Sequence, residues 1–260
     1  LAESTVRPSR YRDDEVKYER YQLRRELDQH RFLALGKVHT PVNYWNDEFH
    51  HGRVLFPSIG RPAAFSGFIP IHDLGVRFGG ENIGPLDLRF DLMVGSGSEA
   101  AESNRPFRDG VRSFTAYVSA QPSDGLMIGA GLYRERLRLG RTGVLVQDFA
   151  DHASHHGAVG SMSAMGAMST HVSHTDGGHV HGPGAHLMAA PPLAPRTLGY
   201  DLATISVLWE NASWSLHGEG TASRLVDGND FTQYLVVGRR LGETTVYGLA
   251  DSVSRHSQAD

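Results

Sequence analysis

Between Leu86 and Val94 the chain reads Leu-Asp-Leu-Arg-Phe-Asp-Leu-Met-Val, with an apolar side chain at every second position. Period two sorts Leu86, Leu88, Phe90, Leu92 and Val94 onto one face of an extended strand. Asp87, Arg89 and Asp91 fall on the other, whereas a helix would scatter both sets around its circumference. The run from Ser113 to Ala120 repeats the pattern, with Phe114, Ala116, Val118 and Ala120 opposite Ser113, Thr115, Tyr117 and Ser119. A weaker version places His217, Glu219 and Thr221 opposite Leu216, Gly218 and Gly220. Any fold for this chain has to build on strands with one apolar and one polar face.

Extending the reading gives ten strands, near 16–26, 31–40, 68–80, 85–95, 111–120, 125–136, 198–209, 213–223, 231–240 and 244–254. The first of these is charge-rich, and its sequence also suits an amphipathic helix; the turn-length stretch Leu27 to His30 favours a hairpin. The first fifteen residues read as a solvated terminus or loop. Most strands exceed the roughly 5–6 residues common in globular sheets and approach the roughly 9–11 of a tilted strand crossing a bilayer.

The connections alternate in length. Leu27 to His30, Glu81 to Gly84, Gln121 to Asp124, Glu210 to Ala212 and Leu241 to Glu243 are short. Between them lie long stretches after residue 40, from Ser96 to Gly110 and from Arg138 to Thr197, and a middling one from Arg224 to Asp230. Tight turns at one end and longer loops at the other are the habit of outer-membrane barrels. A soluble β-sandwich also carries many alternating strands, but its loops need not alternate in length. The fold class expected is therefore all-β: an antiparallel up-and-down transmembrane β-barrel. One domain would span 1–260, with 138–197 inserted between strands as a long, flexible external loop. In that fold Leu86, Leu88, Phe90 and Leu92 lie outside.

Composition narrows the function classes. No run of 18 apolar residues exists, so no helix spans a bilayer. A net charge of −4 gives no reason to expect nucleic acid as partner. Cysteine is absent, which removes disulfides, thiolate metal sites and a Cys nucleophile. The chain has no Gly-x-Ser-x-Gly elbow, no His-Glu-x-x-His and no phosphate-binding Gly-x-x-x-x-Gly-Lys, and Gly95-Ser96-Gly97 leads into no helix. No enzyme is expected.

The run Arg31 to Gly52 resembles a motif of bacterial outer-membrane porin-like β-barrel proteins. It is carried by Gly36, Lys37, His39, Thr40, Pro41, Tyr44, Trp45, Asn46, His50, His51 and Gly52, with Arg61-Pro62 and Phe68 to His72 matching the next strand. This chain has Val42-Asn43 where that pattern has Leu-Gly. The resemblance is clear over 31–95 and diffuse beyond. It implies a Gram-negative outer-membrane location and passive diffusion of small solutes or ions through a water-lined interior. The rival is a non-conducting metal-binding or structural barrel that fills its own interior. Lipid and small solutes or metal ions are the partners expected, and a homo-oligomer is left open. The chain opens at Leu1 without a leader and ends without the terminal aromatic usual in such barrels, so a larger barrel lacking some strands is expected.

Two sets of residues carry candidate chemistry. The 138–197 segment holds eight of the fifteen histidines and four of the six methionines among Gly, Ala and Ser. His152, His155, His156, His171, His174, His179, His181 and His186 offer imidazoles, and Met162, Met165 and Met168 recur every third residue as thioethers. Such donors suit copper or zinc, held by a pliable chain; the alternative is a low-complexity loop with no selected role. His39, His50, His51 and His72 form a sparser group, read as simple packing in preference to a metal-sensitive mouth. Asp87, Arg89, Asp91, Lys37, Arg77, Glu135 and Glu219 are expected to face inward. Tyr44, Trp45, Tyr117, Trp209 and Trp214 fit interfacial girdles or ordinary sheet packing.

Overall fold

A computed structural model describes residues 2–7, 15–49, 62, 69–98, 110–138, 197–225 and 228–257. Eleven strands run in chain order, each antiparallel to the one before, in a single sheet. They are β1 (Ala2–Arg7), β2 (Glu15–Glu26), β3 (Arg31–His39), β4 (His72–Ile83), β5 (Leu88–Gly95), β6 (Ser113–Ser123), β7 (Leu126–Arg138), β8 (Thr197–Glu210), β9 (Trp214–Leu225), β10 (Gly228–Leu241) and β11 (Thr244–Ser257). Among the described residues no pairing joins β1 to β11, so the sheet stays open there. No described helix is long and apolar enough to cross a membrane.

The ten expected strands are present within a few residues, and the differences have local causes. β1 occupies residues read as loop: Ala2 to Arg7 pair with Tyr21 to Glu15, so a ladder supplies the order that hydrophobic pattern does not. β4 starts at His72, four residues late, because Pro70 has no N–H to give a ladder. β5 starts at Leu88, since Gly84 (φ 68°) and Asp87 (φ 47°) form the turn before it. Asp87 is therefore a turn residue, not an inward wall residue. The expected Arg224–Asp230 loop closes up, as the ladder continues through Arg224↔Asn229 to Leu225↔Gly228. Length alternation thus fails at that one connection. Turns at 27–30, 84–87, 124–125, 211–213 and 242–243 all lie at the opposite end.

The two faces of the sheet differ in kind. Buried positions include Asp73, Asp91, Thr115, Ser119, Glu135, Thr204, Ser206, Glu219, Thr221 and Thr232. Exposed ones include Leu23, Leu33, Leu35, Leu92, Val94, Phe114, Val118, Ile128, Leu132, Ile205, Phe231 and Leu235. Glu135 has no exposed surface while Leu132, on the other face of the same strand, is 59% exposed. Leu86 is exposed in its turn; Leu88 and Phe90 are half-buried, Phe90 meeting Phe78 with ring centroids 5.4 Å apart. An ordinary globular sheet has the opposite arrangement.

Candidate functional site

The polar face is occupied by chain that leaves the wall after β3. Gly36, at φ +141°, lies so close to β2 that an added Cβ would meet the Tyr21 carbonyl oxygen at 2.2 Å. Beyond His39 the ladder ends with Thr40 N–H donating to the Ile71 carbonyl at 3.0 Å. The chain then turns inward: Thr40, Pro41, Val42, Asn43, Trp45 and Asn46 are all buried, and Trp45–Phe49 form a single π-helical turn. Asn43 and Asn46 stabilise this departure. Asn46 N–H donates to Asn43 Oδ1 at 2.9 Å, and Asn46 Nδ2 donates to the carbonyls of Thr40 (2.8 Å) and Ile71 (3.1 Å).

One side of this segment is held by the far wall. Thr204 on β8 donates to the Val42 carbonyl at 2.5 Å, and Gly131 on β7 makes room, since a Cβ there would lie 1.9 Å from that oxygen. Glu219 on β9 accepts from Asn43 Nδ2 (3.0 Å), Trp45 N–H (3.1 Å) and Ser206 Oγ (2.7 Å). Val42 and Trp45 pack with Tyr133, Tyr200, Leu202, Tyr234 and Val236 in the main apolar cluster. A segment rooted between β3 and β4 reaches β7 to β10 only if the sheet curls around it.

The other side is held by paired charges. Asp47 accepts a two-pronged contact from Arg77, both distances 3.1 Å, and a further bond from Arg89. Arg77 Nε also donates to Asp91 at 2.8 Å, and Arg89 reaches Asp91 (3.2 Å) and Glu48 (2.5 Å). Glu48 lies outside the strands; partial burial, then repulsion from Glu81, raises its carboxyl above the ordinary range despite the nearby Arg77. A second inward stretch, Ser96 to Ser98, is pinned similarly. Asp73 accepts from Gly97 N–H at 3.0 Å and from the Ser113 hydroxyl, and Glu135 accepts from Ser98 N–H at 2.9 Å and Tyr133 OH at 2.6 Å.

No protein-family model, curated protein or solved structure matches this chain. Of the residues expected inward, Lys37, Arg77, Arg89, Asp91, Glu135 and Glu219 are brought onto the polar face. His39 and His72 are cross-strand partners, both buried, with ring centroids 5.1 Å apart and planes 43° apart. Trp45 and Tyr117 are interior residues, because both sit on the polar side of the wall; Trp209 and Trp214 are exposed on the outer face beside the 211–213 turn. His50, His51 and the donors His152, His155, His156, Met162, Met165, Met168, His171, His174, His179, His181 and His186 lie outside the described residues. Among the described residues no three His, Asp or Glu gather to hold a metal ion. Sequence reasoning missed Asp47 and Asp73, and placed Asn43 and Asn46 only in the family motif, without the tethering role seen here. Asn43 was the available signal, since an Asn side-chain oxygen can accept a backbone N–H a few residues on at the point where a ladder stops.

Proposed function

We propose that the protein is an outer-membrane β-barrel of a Gram-negative bacterium, passing small solutes or ions by passive diffusion through an interior narrowed by residues 40–49. One observation carries the reading: the sheet is inside out, with carboxylates and hydroxyls buried, arginines half-buried beside them, and a band of leucines, valines and phenylalanines such as Leu132, Val118 and Phe114 exposed on the other face. Lipid satisfies such an outer face, and each strand from β2 to β10 pairs with a neighbour on both sides, so its backbone needs little water there. Trp209, Trp214 and Tyr247, exposed near the short turns, suit a headgroup boundary. Long connections at the other end, His/Met-rich 138–197 included, then face outward, where that loop captures copper or zinc.

A second reading is favoured by the packing of Val42 and Trp45 against Tyr133, Tyr200 and Tyr234: a barrel that fills its own interior and does not conduct. Planar-bilayer recording of the refolded full chain separates the two. Discrete current steps support diffusion. Their absence in protein that is folded and lipid-inserted supports the filled barrel, and recovery of the folded chain from water without detergent overturns both.

A further inference from the structure

We propose that the outward rim of β7, β8 and β9, at the end with the long connections, binds a phosphate-bearing lipid, with Arg134, Arg136 and Arg224 holding the phosphate and a furrow beside them taking an acyl chain. This rests on the outer-membrane reading above, though not on conduction, and names a lipid partner. On the outer face of β7 the side chains change from Ile128 and Leu132 to Arg134 and Arg136, all of them exposed. Cross-strand register continues the row: Arg134 is opposite Asp201 on β8, and Asp201 is opposite Arg224 on β9. Strand spacing puts the Cα atoms of Arg134 and Arg224 roughly 10 Å apart, within the joint reach of two guanidiniums. Asp201 accepts from Arg134 at 2.6 and 3.2 Å. Among the described residues it is the one carboxylate on the outward positions of β6 to β10. Among them, too, Arg136 and Arg224 have no carboxylate within ion-pair distance. No described atom lies within 4 Å of a Cβ placed at Gly199, opposite Arg136, so the space beside that arginine is open. A positive row of planar, forked donors suits an oxyanion.

Directly beside the row, towards the short turns, the outer face is hollowed. Ala203, Ala222 and Phe231 are cross-strand partners at the next outward position. With Ile205 and Gly220 they line a depression of about 450 Å³. Packing does not demand that glycine: a Cβ at Gly220 would meet Ile205 Cγ2 at 3.6 Å, an ordinary contact. Glycine there keeps the floor low between Ile205 and Phe231, both exposed. Gln233, Ser252 and Ser254 along the other side can donate hydrogen bonds to the ester or amide carbonyls that join acyl chains to a headgroup. From Asp201 to Trp209 the strand runs roughly 27 Å, or roughly 20 Å along a membrane normal at the usual tilt, close to the ~25 Å of an outward apolar band. The arginines thus stand at one boundary of that band and Trp209 at the other. Positive charge at a boundary, with an apolar furrow leading away from it, complements both ends of one anionic lipid, whereas free phosphate would use only the first.

The test is native mass spectrometry of the full chain refolded in detergent with equal amounts of phosphatidylglycerol and phosphatidylcholine carrying the same acyl chains. An arginine at a membrane boundary favours anionic lipid roughly fivefold, so phosphatidylglycerol should be retained in at least about tenfold preference, less as salt is raised. The double variant Arg136→Gln, Arg224→Gln, at two exposed positions, should bring the ratio close to one. Gly220→Leu keeps the arginines and should cut retention severalfold by filling the furrow. Equal retention of both lipids by wild type, or retention unchanged in either folded variant, overturns the site while leaving the outer-membrane reading intact. Displacement of the lipid by inorganic phosphate at constant ionic strength does the same, marking a plain anion site. If neither variant folds, the wild-type ratio and its salt dependence decide. A folded chain that does not enter vesicles of the two lipids overturns the outer-membrane reading and the site with it.

Discussion

Replacing Glu219 by Ala should release the inward segment from the far wall. The side chain accepts hydrogen bonds from Asn43 Nδ2, Trp45 N–H and Ser206 Oγ, at 3.0, 3.1 and 2.7 Å, and also from Tyr234. The Ser206 hydroxyl can rotate to another acceptor, but the amide and the backbone N–H are stranded in a buried site. A hydrogen bond to a charged acceptor contributes about 1.5–3 kcal/mol, so two lost bonds cost roughly 3–6 kcal/mol. Removing the buried charge relieves its desolvation, which offsets part of this and leaves a net loss of roughly 2–4 kcal/mol. Glu219→Gln keeps the shape and one acceptor oxygen but turns an NH₂ towards a donor, so about half that loss is expected. Denaturant unfolding in detergent gives the stability difference. Iodide quenching reads the segment directly, because Trp45 is buried while Trp209 and Trp214 are already outside. In Glu219→Ala, Trp45 should become quenchable and any single-channel conductance should rise. A variant within about 0.5 kcal/mol of wild type, with Trp45 still protected, would refute the view that Glu219 tethers the segment.

Three further outcomes are expected. Leu132→Arg, placing a charge on the exposed apolar face, should cost about 2–4 kcal/mol of insertion stability if that face meets the middle of a bilayer; folding yields into lipid vesicles measure it, and a yield equal to wild type would argue for water there. Asp28 in the β2–β3 turn has its carboxyl pushed down to about 2, chiefly by the Arg31 side chain and then by the His30 N–H. With its folded value below the unfolded one, its contribution is present above about pH 4 and disappears as pH falls towards about 2, which amide exchange at residues 27–31 follows. Calorimetry with copper and zinc should show most metal uptake lost on deleting 152–188, with wild-type binding weakening below about pH 6.5 as imidazoles protonate. Equal uptake by both proteins would make the loop a tolerated insertion.

Much of the wall was legible because alternation encodes face. Arg89 and Asp91 on β5, Glu135 on β7 and Glu219 on β9 point inward as their period demands. Alternation encodes nothing about depth or partners, so it could not distinguish a solvated lining from carboxylates sealed beneath returning chain. Trp45 shows the limit: once the ladder ends at Thr40 there is no period left to assign it a side, and only contact with Tyr200 and Tyr234 decides. β1 was illegible for a related reason, since a polar strand ordered by backbone pairing with β2 carries no hydrophobic signature. Pro70 was legible in principle, as a residue that cannot donate to a ladder and so marks where β4 has not yet begun.

The tether between Asn43 and Glu219 spans 176 positions of the chain. Every strand pairing, by contrast, joins consecutive strands, and most are closed by turns of a few residues. Hairpins of that kind form locally, whereas a contact of such sequence separation must wait until the intervening chain is laid down and the closure entropy is met. Residues 40–49 therefore cannot seat until β7, β8 and β9 are in place. The sheet assembles as a growing ribbon, and docking of its own third connection marks the moment at which that ribbon has curled far enough for β7, β8 and β9 to meet residues 40–49.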